Sequence, residues 1–248
     1  MGTGCNSPAV YQGLGWFYDR YWREYGEAAA PALDRLVVAR VPRGARILDL
    51  CCGTGQIAAD LTRRGFRVTG LDGSLDMLVF ARRSAPKAAL AAADARCFAL
   101  RPCFDAAICT FDSLNHLLRI ADVEAAMGNV HDALVPGGLF VFDINMEEAY
   151  RREWGKSSTI AEPDHLCYVR GRYDAERRLG VTEITTFRLE NGWTRQDLTV
   201  YQRCYTRGEM REALARVGFR DIEVQAAKAL GVEGRLAIGR VYFTSRKT

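Results

Sequence analysis

Between Arg43 and Asn145, short apolar runs alternate with stretches in which apolar residues recur every three or four positions. The first pattern suits strands buried on both faces and the second suits amphipathic helices, so together they predict a parallel sheet wrapped by helices. Strands are expected from Ala45 to Leu50, Phe66 to Leu71, Ala88 to Ala92, Phe104 to Cys109 and Gly138 to Ile144. Helices are expected from Gln56 to Arg64 and from Ser74 to Arg83, with a longer one ending near Leu134 before the breaker Pro136-Gly137-Gly138. Ser74 is a suitable N-cap, because its hydroxyl can accept from an unpaired amide of the first turn.

The flanks read differently. From Val10 to Arg40 the chain crowds Tyr11, Trp16, Phe17, Tyr18, Tyr21, Trp22 and Tyr25 together, after which Pro31 is placed to open a helix carrying Leu33, Leu36 and Val37. From Tyr150 to Tyr205 the pattern is β-like. Asn191-Gly192 predicts a tight hairpin between Val181 to Glu190 and Trp193 to Tyr205, and a strand near Leu166 to Tyr173 would complete a three-stranded antiparallel insert. Thr206-Arg207-Gly208-Glu209 fits a capping box, followed by Met210, Leu214 and Val217 on one helical face and a stop at Gly218. Strands from Phe219 to Gln225 and Leu236 to Thr244 would finish the main sheet. The expected organisation is a helical cover over 1–42, a main domain of 43–149 and 206–248, and a β insert over 150–205.

Composition narrows the function classes. With 48% hydrophobic and 26% charged residues, a chain of 248 can fill a core, and no apolar run approaches the ~20 residues a membrane span needs. The net charge of +4 comes from basic residues scattered in twos, which does not imply a nucleic-acid partner. Met1 to Val10 lacks the basic start and apolar run of a secretory leader, and Asn6 stands where myristoylation wants Ser or Thr. Eight cysteines show no CxxC pair and no paired spacing with the three histidines, so reduced thiols in a cytoplasm are expected and no metal site. Oligomeric state is left open, a homodimer being one option.

The chemistry centres on Ile47-Leu48-Asp49-Leu50-Cys51-Cys52-Gly53-Thr54-Gly55-Gln56-Ile57-Ala58, a strand that runs through small residues into a helix. Small residues admit a ligand close to the main chain, and the helix start offers free amides, so a nucleotide-like ligand is expected at the carboxyl end of this strand. Asp72 follows Gly55 by 17 residues at the end of the second strand, where a carboxylate can accept from both ribose hydroxyls. Dinucleotides and adenosyl cofactors share that feature, and Asp72 could alternatively only cap the helix beginning near Ser74.

On these residues the sequence resembles the class I S-adenosylmethionine-dependent methyltransferases, whose first motif runs Asp/Glu-x-Gly-x-Gly-x-Gly. Asp49, Cys51, Gly53 and Gly55 occupy its first four defined positions, with Cys51 departing from the usual Gly. Asp72-Gly73, Ala93-Asp94-Ala95, Phe104-Asp105-Ala106 and Leu134-Val135-Pro136-Gly137-Gly138 follow in the family's order. The resemblance implies a Rossmann-like α/β fold with a seven-stranded, mostly parallel sheet, its last strand antiparallel, and helices on both faces. It implies S-adenosyl-L-methionine as cofactor, with Asp72 on the ribose, and Asp94 and the Ala95 amide at the adenine. Phe111 is read equally as adenine packing or as core.

Thr110-Phe111-Asp112-Ser113-Leu114-Asn115-His116-Leu117 lacks the Asn/Asp-Pro-Pro-aromatic motif of base-modifying enzymes and is similar instead to small-molecule N-methyltransferases of the amino-sugar type. That resemblance implies a small-molecule methyl acceptor, direct displacement at nitrogen or oxygen, His116 as base or orienting group, and Tyr18 near the methionine portion or the substrate. The rival readings are an NAD(P)-dependent oxidoreductase and a non-catalytic adenosine-ligand or nucleic-acid-binding module.

Overall fold

Five parallel strands follow from the apolar runs: β1 (Arg46–Leu50), β2 (Arg67–Asp72), β3 (Ala89–Ala92), β4 (Phe104–Cys109) and β5 (Leu134–Asn145). The computed structural model describes residues 11–248, so the readings of Met1 to Val10 and of Cys5 lie outside the described residues. Alternate residues of β1 serve two cores. Leu48 and Leu50 pack on one face with α5 (Ile120–Ala133) and α7 (Arg207–Val217). Ile47 packs on the other with α2 (Glu24–Leu36) and α3 (Gln56–Arg63). The remaining helices are α1 (Gly15–Phe17), α4 (Leu75–Ser84) and α6 (Glu147–Glu153). Among the described residues, no helix is long and apolar enough to cross a membrane.

Two C-terminal strands, β10 (Phe219–Ala226) and β11 (Arg240–Lys247), extend the sheet to the order β10-β11-β5-β4-β1-β2-β3. The last strand, β11, is antiparallel to both of its neighbours. Because β1 is flanked by β2 on one side and β4 on the other, the direction of winding reverses there. That switch point opens a crevice beyond the carboxyl ends of β1 and β4.

A separate antiparallel sheet contains β6 (Ser157–Glu162), β7 (His165–Asp174), β8 (Leu179–Leu189) and β9 (Trp193–Arg203). Its inner residues Cys167, Ile184 and Leu198 share a third core with Leu14 and Phe17 from the N-terminal segment. The Trp16 ring meets His165 edge-on, with the Arg188 guanidinium 4.9 Å from its centre. The N-terminal helices are also tied to the main domain. Gly15 N–H donates to Asp76 at 2.6 Å, and Gln56 donates to Asp19 at 2.9 Å.

Several expectations are corrected. Pro31 lies inside α2 rather than at its start; the helix begins at Glu24 and tolerates the missing amide because Ala29, Ala32, Leu33 and Leu36 are buried. The insert has four strands, not three: β6 reads Ser-Ser-Thr-Ile-Ala-Glu and is largely exposed at the sheet edge, so it carries little apolar signal. A helix, α6, precedes that sheet within the stretch read as β-like from Tyr150. The β8–β9 connection closes at Leu189 and Trp193, giving a three-residue loop in which Gly192 has positive φ and Asn191 does not. Leu236 falls in a 3-10 turn, so the final strand starts at Arg240. The Pro136-Gly137-Gly138 breaker is absorbed into β5 across a register shift between Leu134 and Leu139.

Candidate active site

The loop leaving β1 turns through three left-handed residues, Cys51 (φ 59°), Gly53 (φ 54°) and Gly55 (φ 84°). Glycine adopts this region freely, whereas an L residue incurs about 1–2 kcal/mol, so Cys51 keeps a glycine's conformation under strain. At Gly55 two demands coincide: besides its φ, an added Cβ would lie 2.9 Å from the Ala81 backbone. The turn is closed by Gly55 N–H donating to the Cys52 carbonyl at 3.0 Å. Across it, the Asp72 carboxylate accepts from Gly53 N–H at 2.8 Å and Ser74 N–H at 2.9 Å. Asp72 therefore braces the loop as well as facing the cleft, and Ser74 caps α4 by accepting from Met77 N–H. Burial raises the Asp72 carboxyl above its ordinary value, and the two amides work against that rise.

Two adjoining hollows lie over this loop. The smaller, about 390 Å³, has Asp49 in its wall with Thr110 and Gln56, roofed by Tyr18 and Trp22. Asp49 is 2% exposed and its Oδ2 is buried without a hydrogen-bond partner. Burial, reinforced by the Asp72 charge, pushes its carboxyl up to about 8. Such an orphaned acid fits an incoming cation, which would draw it into its charged form, and no Lys or Arg is among the residues lining this hollow to hold the diphosphate of a dinucleotide. The larger, about 870 Å³, runs from Asp72, Gly73, Asp94 and Ala95 past Phe111 to His116. An elongated ligand with an ammonium at one end and an adenosine at the other matches the pair.

Past β4 the chain makes two more left-handed residues, Phe111 (φ 59°) and Asp112 (φ 49°). Their amides donate to the two oxygens of Asp143, at 2.7 and 3.2 Å, which holds this sharp turn against β5. Phe111 stacks on Tyr25 from α2, with ring centres 5.7 Å apart. Arg240 pairs with both Asp143 and Asp112, so three charged groups are buried together behind the cleft wall. Burial works to raise Asp112, but Arg240, His116 and the Gln202 amide together hold its carboxyl below the ordinary value. His116 lies one turn further on; Tyr11 Oη is 3.2 Å from its Nε2 and Gln202 Nε2 is 2.9 Å from the same atom. Burial lowers the His116 pKa and Asp112 partly opposes it, so the ring is neutral to a lower pH than free imidazole. Burial also keeps the Tyr11 and Tyr18 hydroxyls protonated, with the Asp112 charge assisting.

The structure brings together Tyr18, Asp49, Cys51, Gly53, Asp72, Gly73, Asp94, Ala95, Phe111 and His116 around one cleft. Gly55 is not in the cleft wall; it packs on Ala81 and shapes the loop from behind. Asp94 reaches the cleft with its carboxylate already held by Arg96 at 2.6 Å, a bond that lowers its pKa. Asp105, a family landmark, faces away and anchors β4 to β1 by accepting from Arg46 N–H at 2.7 Å. Sequence reasoning passed over Tyr11, Asp112, Asp143, Gln202 and Arg240. A signal existed for one of them: Asp143 interrupts the apolar run of β5.

A family model described as a methyltransferase domain matches residues 47–138. A Bacillus subtilis (strain 168) protein provisionally named as a methyltransferase is 29% identical over 96% of this chain and 98% of its own length. The dTDP-3-amino-3,6-dideoxy-alpha-D-glucopyranose N,N-dimethyltransferase of Streptomyces fradiae is 37% identical, over 54% of this chain and 49% of that enzyme, so the match spans about half of each. An amino pentose methyltransferase from Micromonospora echinaspora, solved with S-adenosylmethionine bound, is 30% identical over 94% of this chain and 97% of that one, with a TM-score of 0.71. Near-complete coverage at that identity, on a cleft that fits a cationic adenosyl ligand, shows that the chain belongs to the S-adenosylmethionine-dependent methyltransferases and takes S-adenosyl-L-methionine as its cofactor.

Proposed function

We propose that this methyltransferase acts on the amino nitrogen of a small molecule, with amino sugars as the leading class, and that His116 receives the proton the nitrogen must lose. The observation that carries this reading is the neutral-held imidazole of His116 in a cleft rich in carboxylates. Asp72 lines it and the group of Asp112, Asp143 and Arg240 behind it has two carboxylates to one guanidinium, while Asp94 is balanced by Arg96 and Asp49 is held largely protonated. Such a field draws in a protonated amine, and burial then favours its neutral form. The resemblance to an amino-sugar N,N-dimethyltransferase over half the chain, and to an amino pentose methyltransferase over nearly all of it, supports the same class.

When bound, the cofactor supplies an electrophilic methyl group on its sulfonium sulfur. Asp72 would hold the ribose hydroxyls, Asp49 the ammonium of the methionine portion, and the Ala95 amide and Phe111 ring the adenine. Tyr18, which borders both hollows, would orient the reacting ends, and its protonated hydroxyl can donate to either. Residues 11–42 and the β insert would close over the acceptor and exclude water, leaving the enzyme to act mainly by positioning. The cysteines of the described residues are all free thiols, which supports residence in the reducing cytoplasm.

The test is a methyl-transfer panel with S-adenosyl-L-methionine against nucleotide-linked amino sugars, simple amines, phenols and carboxylic acids, read by mass spectrometry. Methyl groups added to amino sugars alone, or faster than to the rest, support the proposal. Transfer to phenols or acids with none to any amine refutes it.

A further inference from the structure

Gln202 lies near the end of β9, in the insert, far along the chain from every cofactor motif. It is 5% exposed, and each end of its amide is occupied. Its Oε1 accepts from the Tyr150 hydroxyl at 3.4 Å. Its Nε2 meets the Asp112 carboxylate at 2.5 Å and His116 Nε2 at 2.9 Å. An amide's two ends look alike in shape, but these partners tell them apart. An ionised carboxylate only accepts, so the NH₂ group must face Asp112. The reversed amide would set Oε1 against that carboxylate, acceptor to acceptor in a buried site, which the Arg240 ion pair on Asp112 does not relieve. With one amide hydrogen on Asp112, the other points at His116 Nε2, and that nitrogen can then only accept.

From this geometry we infer that Gln202 is a positioning residue: it holds His116 in the tautomer whose proton is on Nδ1 and whose Nε2 accepts from the Gln202 amide, so the ring takes a proton at Nε2 only when that hydrogen bond gives way. The insert thus contributes a part of the catalytic apparatus rather than a passive wall. Asn115 makes the arrangement rigid. It is fully buried and donates to the Arg203 carbonyl at 2.8 Å, beside Gln202, while its Oδ1 accepts from Asn145 N–H at 3.0 Å on β5. The tip of β9 is thereby pinned to the main sheet beside the turn that follows β4. The charged and titratable groups facing His116 are Asp112 from the turn after β4, Arg240 behind it from β11, and Tyr11 from the N-terminal segment. A donor fixed on Nε2 resists a proton arriving there, so Gln202 also works with burial to keep the ring neutral, against the pull of Asp112.

The inference rests on the proposed role of His116, but it can be read without turnover. With ¹⁵N-labelled histidine in the whole protein, the His116 resonances, one set among three histidines, report which ring nitrogen carries the proton. In the native protein Nε2 should appear unprotonated and Nδ1 protonated. In Gln202→Leu the preference should relax by roughly tenfold, the equivalent of one hydrogen bond of ~1.4 kcal/mol. In Gln202→Glu, which offers Nε2 an acceptor, the ring should stay protonated to higher pH, and the acid limb of the kcat profile should move up with it. Native protein with Nε2 protonated, or a folded Gln202→Leu that keeps the native tautomer ratio, overturns the inference. If His116→Ala retains full turnover while the tautomer pattern is as described, the base assignment fails and the positioning by Gln202 stands.

Discussion

Asp49→Asn should separate stability from cofactor binding, and the effect should depend on pH. Asp49 goes from an ordinary carboxylate in the unfolded chain, near 3.8, to a pKa of about 8 in the folded protein. Its folded pKa is raised, so its protonated form is compatible with the fold at low pH, and stability is lost as pH rises toward 8. Each pH unit in that window costs about 1.4 kcal/mol, because folding must take up a proton that the unfolded chain has released. Asparagine does not titrate and escapes this loss. For a chain of this size ~1 kcal/mol corresponds to about 2–4 °C, so the melting temperature of cofactor-free Asp49→Asn should gain on the native protein by roughly 3–5 °C per unit between pH 5 and 7.5, and level off above pH 8. Cofactor binding should show the opposite preference. A carboxyl with a pKa of about 8 is about 90% protonated at pH 7, so capture of the cofactor's ammonium should release close to one proton. Calorimetry in buffers of different ionisation enthalpy measures that release, which should vanish in the variant along with part of the affinity. A melting-temperature gap that stays constant from pH 5 to pH 8, or binding without proton release, would refute the reasoning.

Asp72→Ala removes the candidate ribose acceptor and the brace on the Gly53 and Ser74 amides; cofactor affinity measured by calorimetry should fall by roughly 30- to 1,000-fold. Gly55→Ala adds left-handed strain and a Cβ 2.9 Å from the Ala81 backbone, and urea unfolding should show a loss of about 2–4 kcal/mol with little change in slope. His116→Ala should lower kcat by about 100-fold or more while cofactor affinity stays within about twofold, checked by steady-state kinetics beside calorimetry. Unchanged turnover with the true acceptor would remove His116 from the mechanism.

The main sheet was legible in the sequence because its signals are local. A buried parallel strand needs a run of apolar residues, and a helix start needs a cap, and both can be seen within a dozen positions. The Asp49-to-Gly55 loop and Asp72 were readable for the same reason: each is punctuation at a strand end, where small residues and an acid stand out against the apolar run before them. Readings failed where the local signal was weak or overridden. β6 is an exposed edge strand of polar residues, and Pro31 is carried inside a helix by the burial of its neighbours.

What the sequence determined by itself was the layered α/β architecture and the small-residue loop between the first strand and its helix, with Asp72 at the end of the second strand, since periodicity and spacing encode them within single elements. Only the tertiary structure decided which groups surround His116. Asp112, Asp143, Gln202 and Arg240 meet because β4, β5 and β9 end, and the antiparallel β11 begins, at the same edge of the fold, although Asp112 and Arg240 are 128 residues apart. Burial then makes their mutual arrangement matter: charges that would be solvated singly on a surface must satisfy one another there, and Asp112 among them partly opposes the burial that lowers the His116 pKa.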